Sequence, residues 1–168
     1  MKNKVNSIAT LIFIIGLFFS EVSFGANAKF SKDQAIIENR LSDGTVIKVV
    51  VHTVKYPSNF PYKGIRRWWG ADSGKPQFLI EKFEVKINEE NIFIPLSVYM
   101  DLANPNEMFL DAKNQEAQLV IIGGDAGGSY RTTIIFEKGD VKKRKVSHGE
   151  FPEVGEETVY SFNTSTEN

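Results

Sequence analysis

The side chains of this chain that could carry out chemistry are few and far apart. The sequence has no cysteine, and its two histidines, His52 and His148, are separated by most of a domain. A metal site or an activated nucleophile needs several such residues at a short spacing, and no segment provides it. Acidic residues are numerous, but the sequence forces no two of them together. We therefore predict a protein that is not an enzyme and holds no metal ion or cofactor. The alternative is a small hydrolase whose catalytic carboxylates meet only in the folded chain.

One loop of unusual composition follows a short apolar run. Residues 119–122 predict a strand buried on both faces, and the next six residues, 123–128, include four glycines. Residues 124–128 have the spacing of the Gly-Asp-Ser-Gly-Gly sequence around the nucleophile of chymotrypsin-like proteases. Ala126 stands at the position of the serine, so no hydroxyl group is present to attack a carbonyl. We therefore do not interpret residues 123–130, which we call the glycine loop, as the nucleophile segment of a serine protease.

A second resemblance covers residues 117–147. An apolar strand that runs into a loop of small residues, then into Ser-Tyr and an alternating strand, is similar to the periplasmic lysozyme inhibitors. In those families a loop rich in serine and glycine and ending in tyrosine enters the lysozyme cleft, and the matching positions here are Gly127, Gly128, Ser129 and Tyr130. The families usually carry a serine before the glycine, where this chain has Asp125-Ala126. The resemblance implies a periplasmic inhibitor of lysozyme or another hydrolase acting through loop 123–130. The other interpretation is a strand connection whose glycines relieve crowding.

A second candidate surface is the segment 56–76, the aromatic loop. Its three prolines and three glycines make regular structure improbable, and its aromatic residues argue against disorder. One interpretation is that the rings close one end of the core; the other is a binding platform. Because adjacent residues on extended backbone point to opposite sides, we expect one of the two tryptophans to be buried and the other partly exposed. The candidate binding residues of this loop are Tyr62, Arg66, Arg67, Trp68 and Trp69; those of the glycine loop are Asp125, Ser129 and Tyr130.

Most of the remaining sequence alternates apolar and polar residues with a period of two, as half-buried strands do. Ser42-Asp43-Gly44 predicts a hairpin turn, and Glu81 interrupts an apolar face, which predicts a bulge or an edge. Only residues 95–103 have helical spacing. The pattern predicts a mainly β fold, an antiparallel two-sheet β-sandwich of eight or nine strands with at most one short helix, and a flattened barrel is the alternative.

The first residues have the features of an exported precursor. Lys2 and Lys4 precede the apolar run 11–19, and Ala26-Asn27-Ala28 has the small-x-small pattern of a cleavage site. We predict a signal peptide over residues 1–28, a single domain over 29–162 and a flexible tail over 163–168. The mature protein is then secreted or periplasmic, without membrane insertion after removal of the signal.

The charge balance bears on the kind of partner. The predicted signal carries Lys2, Lys4 and Glu21, so the chain's 20 basic and 21 acidic residues become 18 and 20, a net charge of −2. That balance argues against a nucleic-acid-binding protein. The one basic run, residues 142–145, is typical of an edge strand protected from pairing. We therefore expect an exported binding or interaction protein whose partner is an unknown protein or glycan, with the aromatic loop as the candidate surface.

Overall fold

The computed structural model of the chain describes residues 25–31, 33–57, 68–72, 75–113 and 116–162. Several predictions fall outside this part of the chain. They are the first 24 residues of the predicted signal peptide, the predicted tail 163–168, and the three candidate site residues Tyr62, Arg66 and Arg67.

In the part of the chain that the structure describes, ten strands form two antiparallel sheets, which confirms the predicted β-sandwich but exceeds the eight or nine strands expected. The strands are β1 (Ala26–Lys29), β2 (Gln34–Arg40), β3 (Val46–Lys55), β4 (Phe78–Ile87), β5 (Glu90–Asn91), β6 (Pro105–Lys113), β7 (Glu116–Gly123), β8 (Tyr130–Glu137), β9 (Asp140–His148) and β10 (Gly155–Val159). Sheet A has the order β1-β6-β7-β8-β9-β10, and sheet B has the order β2-β3-β4-β5. Helical structure in these residues is limited to two three-residue 3-10 turns, Leu96–Val98 and Ala126–Gly128.

The alternating residues pack between the two sheets. On β3, Val49 and Val51 are fully buried, and on β8 the buried positions are every second residue from Tyr130 to Phe136. The predicted hairpin turn at residues 42–44 connects β2 to β3. The predicted bulge is also present: the β3–β4 register passes from Lys82 to Ile80, so Glu81 has no partner in the ladder. The period of two therefore predicted both the strands and the face that each one buries.

The predicted edge at residues 142–145 is wrong. Strand β9 lies inside sheet A, between β8 and β10, and the edge is β10. Arg144 has a side chain that is only 3% exposed and points into the sandwich. The short β10, with the sequence Gly-Glu-Glu-Thr-Val, carries little apolar periodicity, and for that reason its first residues were not recognised as a strand.

Strand β1 overlaps the predicted end of the signal peptide. Ala26, Asn27 and Ala28 pair with Leu110, Phe109 and Met108 of β6, so cleavage after Ala28 would remove nearly all of β1. The sequence Ser23-Phe24-Gly25 also has small residues at the first and third positions. Cleavage after Gly25 would leave β1 intact.

The sandwich has two different ends. The hairpin end carries the β2–β3, β4–β5 and β8–β9 turns. The loop end carries the end of β3, the beginnings of β4 and β6, the glycine loop between β7 and β8, and the segment after β9. The glycine loop and the described residues of the aromatic loop therefore both belong to the loop end.

Candidate functional site

The end of the aromatic loop and the glycine loop pack directly against each other. A Cβ atom on Gly124 would lie 2.9 Å from the Gly70 Cα, and one on Gly128 would lie 2.9 Å from the Asp72 backbone nitrogen. Gly70 and Gly124 also have φ values of +100° and +71°, which glycine adopts without steric cost. The two segments that the sequence offered as competing sites are thus parts of one surface.

Asn104 ties this surface to the sheets. Its Oδ1 accepts hydrogen bonds from the backbone nitrogens of Gln77 and Phe78, both at 2.9 Å, and its Nδ2 donates to the Gly70 carbonyl at 2.7 Å. The Asn104 carbonyl accepts a further bond from the Gly124 nitrogen at 2.9 Å. Asn104 has a φ of +46°, which asparagine tolerates better than most residues. One side chain therefore fixes the aromatic loop, and its backbone fixes the glycine loop.

Tyr130 cannot act as an exposed contact residue in this structure. Its side chain is buried, with 1% of the residue exposed, and lies against Gly123, on which a Cβ would come within 2.5 Å of the ring. Burial is the main reason that the pKa of the hydroxyl is raised well above its usual range; the nearby Asp101 adds to the shift, and Arg144 opposes it. The part of the inhibitor hypothesis that assigns Tyr130 to a partner's cleft is therefore not supported by this geometry. The glycine at position 123 makes room for a core ring, as the alternative interpretation expected.

The two tryptophans lie in different environments. Trp69 is 6% exposed, and its backbone bridges to the segment 101–103 through the pairs Trp69 N to Asp101 O and Ala103 N to Trp69 O. Trp68 is half-buried and meets the Tyr56 ring edge to face at a centroid distance of 6.4 Å. The expectation of one buried and one partly exposed ring is confirmed. Of the two, only Trp68 offers surface to a ligand.

Among the described residues, three depressions lie along the loop end. The first, of about 400 Å³, is lined by Asp125 and Phe78 among others. The second, of about 560 Å³, shares Gln77 and Phe78 with the first and is also lined by Tyr56. The third, of about 190 Å³, is lined by Trp68, whose ring contacts the ring of Tyr56. We call these three depressions, with the partly exposed rings of Phe78, Tyr56 and Trp68 that line them, the aromatic band.

His148 supports the glycine loop through both nitrogens of its ring. Its Nδ1 lies 3.2 Å from the backbone nitrogens of Glu150 and Phe151, which donate to it, and its Nε2 lies 2.6 Å from the Gly127 carbonyl. Because Nδ1 faces two donors and Nε2 faces an acceptor, the hydrogen bonds fit the neutral tautomer with its proton on Nε2. Both nitrogens are thus engaged with backbone, and the arrangement of a serine nucleophile with a free histidine base is not formed.

Behind this surface lies a charged cluster around the buried Arg144, which was not predicted from the sequence. The two guanidinium nitrogens of Arg144 bind Asp101 Oδ1 at 2.6 Å and Glu156 Oε1 at 2.5 Å. Burial raises the pKa of Asp101 despite the opposing effect of Arg144. Neither carboxylate lines any of the three depressions. Arg144 therefore joins β9 to Asp101 and to Glu156 of β10. Two carboxylates that share one guanidinium away from a cleft suit this structural role better than acid–base catalysis.

The described residues contain neither a candidate metal site nor a membrane-spanning helix. Within the described ranges, no group of three histidine, cysteine, aspartate or glutamate residues is placed to hold a metal ion. Nor does this part of the chain include a helix of the length and apolarity needed to cross a membrane. Comparison of the chain with protein-family models, with curated proteins and with solved structures finds no match in any of the three.

Proposed function

We propose that the chain is exported and acts as a non-enzymatic binding protein whose binding surface is the loop end. The observation that carries this proposal is the band of three depressions accompanied by the partly exposed rings of Phe78, Tyr56 and Trp68. Ligand sites are concave surfaces lined by aromatic side chains with a few polar groups that fix orientation. The signal-like sequence at residues 1–28 supports export.

A glycan is the ligand class that fits this band best. Aromatic rings offer flat apolar faces on which sugar rings stack. The depression beside Phe78 adds the Asp125 carboxylate and the Gln77 and Asn106 amides, which are donors and acceptors for hydroxyl groups. Two lysines, Lys55 and Lys75, line the middle depression, so acidic sugars are included. An extended oligosaccharide would contact all three depressions together.

The proposal is tested with a glycan array and a matched pair of variants. Phe78 is 38% exposed and lies in the band, whereas Phe93 is 73% exposed, contacts Phe162 and lines none of the three depressions. We expect Phe78→Ala to weaken binding to the glycans recognised by the wild type by about 1 kcal/mol or more, and Phe93→Ala to leave it unchanged. Equal effects of the two variants, or an array without any bound glycan, would count against the proposal.

One observation favours a second function, inhibition of a hydrolase. Asp125, Ala126 and Gly127 are exposed at the tip of the glycine loop, which packs against Asp72 and is bonded to His148 through the Gly127 carbonyl. An exposed tip whose backbone is supported in this way is suited to entering a partner's cleft with a smaller loss of entropy on binding. A lysozyme inhibition assay with the wild type and Asp125→Ala distinguishes the two functions. Inhibition that is lost in Asp125→Ala and kept in Phe78→Ala would favour this second function over the first.

A further inference from the structure

The outer face of sheet A carries a stripe of apolar side chains. The residues on either side of Val120 in β7 are fully buried in the core, so Val120 and Ile122 point to the opposite face. Phe109 of β6 is the ladder partner of Val120, and Ile135 of β8 lies diagonally across from it. Val120 is 7% exposed, and the other three side chains are partly exposed. A sheet face in contact with water usually has polar residues at these positions.

The apolar run of β7 predicted a strand that is buried on both faces. In the part of the chain that the structure describes, the strands form two sheets, and sheet B packs on the inner face of sheet A. No described strand lies on the outer face of sheet A. A second layer on that face would complete the burial that the sequence of residues 119–122 indicates.

The charged residues of this face are separated by sign. On one side of the stripe, β6 carries Glu107 and Asp111; on the other side, β9 carries Lys143 and Lys145. Each of these residues alternates with a buried neighbour in its strand and therefore points outward. Lys143 also contacts Glu157 of β10 at 3.1 Å, with both side chains about half exposed, and such a surface pair contributes little and exchanges partners readily. The face is thus acidic on one side, apolar in the middle and basic on the other side.

A second copy of the same face is complementary to this pattern. Sheet A has six strands, so a two-fold axis parallel to the strands, between β7 and β8, places β6 opposite β9 of the second copy and β1 opposite β10. The ladder joins one row of residues across the sheet, Asp111, Gln118, Ile135 and Lys143. Asp111 therefore meets Lys143 of the second copy. At the outer strands, Lys29 of β1 faces the strand that carries Glu157.

The face is large enough for a specific interface. Six strands about 4.8 Å apart, with the eight residues of β8 as the length, cover roughly 24 Å by 26 Å, or about 600 Å² in projection. Accessible surface exceeds projected area, because side chains make the face uneven. Specific interfaces bury about 800 Å² of accessible surface on each partner, so the outer face is of suitable size.

From these observations we propose that the chain forms a homodimer through the outer faces of sheet A. The apolar stripes meet at the centre, and Asp111 pairs with Lys143 of the second copy on both sides of the axis. Because the axis is parallel to the strands, the two loop ends point in the same direction and stay accessible. The interface does not include the loop end, so it stands or fails independently of the proposed binding function.

Sedimentation velocity of the mature protein, from micromolar to submillimolar concentration, tests this inference. We expect a dimer with a dissociation constant in the micromolar range. Asp111→Lys and Lys143→Glu each place like charges opposite each other at both symmetry-related contacts, so each should raise the dissociation constant about tenfold or more. An equal mixture of the two variants should again form a dimer, because every contact then joins opposite charges. That restored dimer would also show that both variants are folded.

The outer face of sheet B provides matched controls for charge. Glu38→Lys and Lys82→Glu reverse exposed charges there and should leave the dissociation constant unchanged. A mature protein that stays monomeric at submillimolar concentration would overturn the proposal. So would charge reversals on sheet B that weaken the dimer as much as those on sheet A, or a mixture of Asp111→Lys and Lys143→Glu that does not dimerise.

Ile135→Thr tests the apolar stripe without a change of charge, and it keeps a β-branched residue in the strand. It removes apolar surface from two symmetry-related contacts and should raise the dissociation constant about fivefold or more. Ile36, which is 48% exposed on the outer face of sheet B, provides the matched control Ile36→Thr. Equal effects of the two substitutions on the dimer would contradict the proposed interface.

Discussion

Asn104 provides the most quantitative test of how the binding surface is assembled. Its side chain makes three hydrogen bonds, to Gln77 N, Phe78 N and Gly70 O. A typical hydrogen bond contributes about 1 kcal/mol to stability, and a residue other than Gly, Asn or Asp at positive φ costs roughly 1 kcal/mol. The bonds to Gln77 and Phe78 are exposed, so water replaces part of their contribution. We therefore expect Asn104→Ala to lower the free energy of unfolding by about 3 kcal/mol.

Asn106 provides the matched control for this substitution. It lies two residues away and makes one side-chain bond of 2.7 Å, from Nδ2 to the Gly124 carbonyl, at an exposed site. Asn106→Ala should cost about 1 kcal/mol or less. Urea denaturation followed by tryptophan fluorescence measures both, since Trp69 bonds to the segment that leads into Asn104. If Asn104→Ala costs no more than Asn106→Ala, the Asn104 side chain does not hold the aromatic loop in place.

Three other predictions follow from the charged cluster and from β1. Arg144→Ala should lower the free energy of unfolding by about 3 kcal/mol, because it removes a buried side chain and leaves the partly buried Asp101 without its partner, whereas exposed Lys145→Ala should change it by no more than about 0.5 kcal/mol. The pKa of Asp101 is higher in the folded chain than its value of about 3.9 in the unfolded chain, so folding favours the protonated carboxyl. The contribution of Asp101 to stability is therefore fully present below about pH 3.9 and is lost as the pH rises through the folded pKa. The cost of Asp101→Asn in urea denaturation should therefore decrease from about pH 4 towards neutral pH, and a cost that increases would show that Arg144 outweighs burial. Finally, intact-mass measurement of the exported protein should find Ala26 as the first residue, because cleavage there keeps β1; a start at Lys29 would mean that the mature fold does without that strand.

The sequence was sufficient for those parts of the fold that depend on local patterns. The strand Val46–Lys55 alternates over ten residues, and the bulge at Glu81 is visible as a charge on an apolar face, so both could be predicted. The short β10 was missed in part because its sequence is polar, and this error led to the wrong edge at β9. A strand that contributes few apolar residues leaves little periodicity to recognise.

The site could be predicted only in outline. The two loops were recognised from composition, but their contact depends on Asn104, which bonds to residues 26, 27 and 34 positions away. Arg144 was interpreted as a surface charge because its partner Asp101 lies 43 residues earlier. Tyr130 was interpreted as a binding residue, whereas the glycines at positions 70 and 123 make room for its ring in the core. In each case the decisive partner is distant in sequence, and spacing along the chain carries no information about it.

Fluorescence quenching of Trp68 tests the binding proposal most directly. The chain has two tryptophans, so Trp69→Phe leaves Trp68 as the sole emitter, and Trp68→Phe leaves the buried Trp69. Acrylamide should quench Trp68 readily and Trp69 poorly. Adding a glycan selected on the array should protect Trp68 and leave Trp69 unchanged. If the glycan binds and the quenching of Trp68 does not change, the band of aromatic rings is not the binding surface.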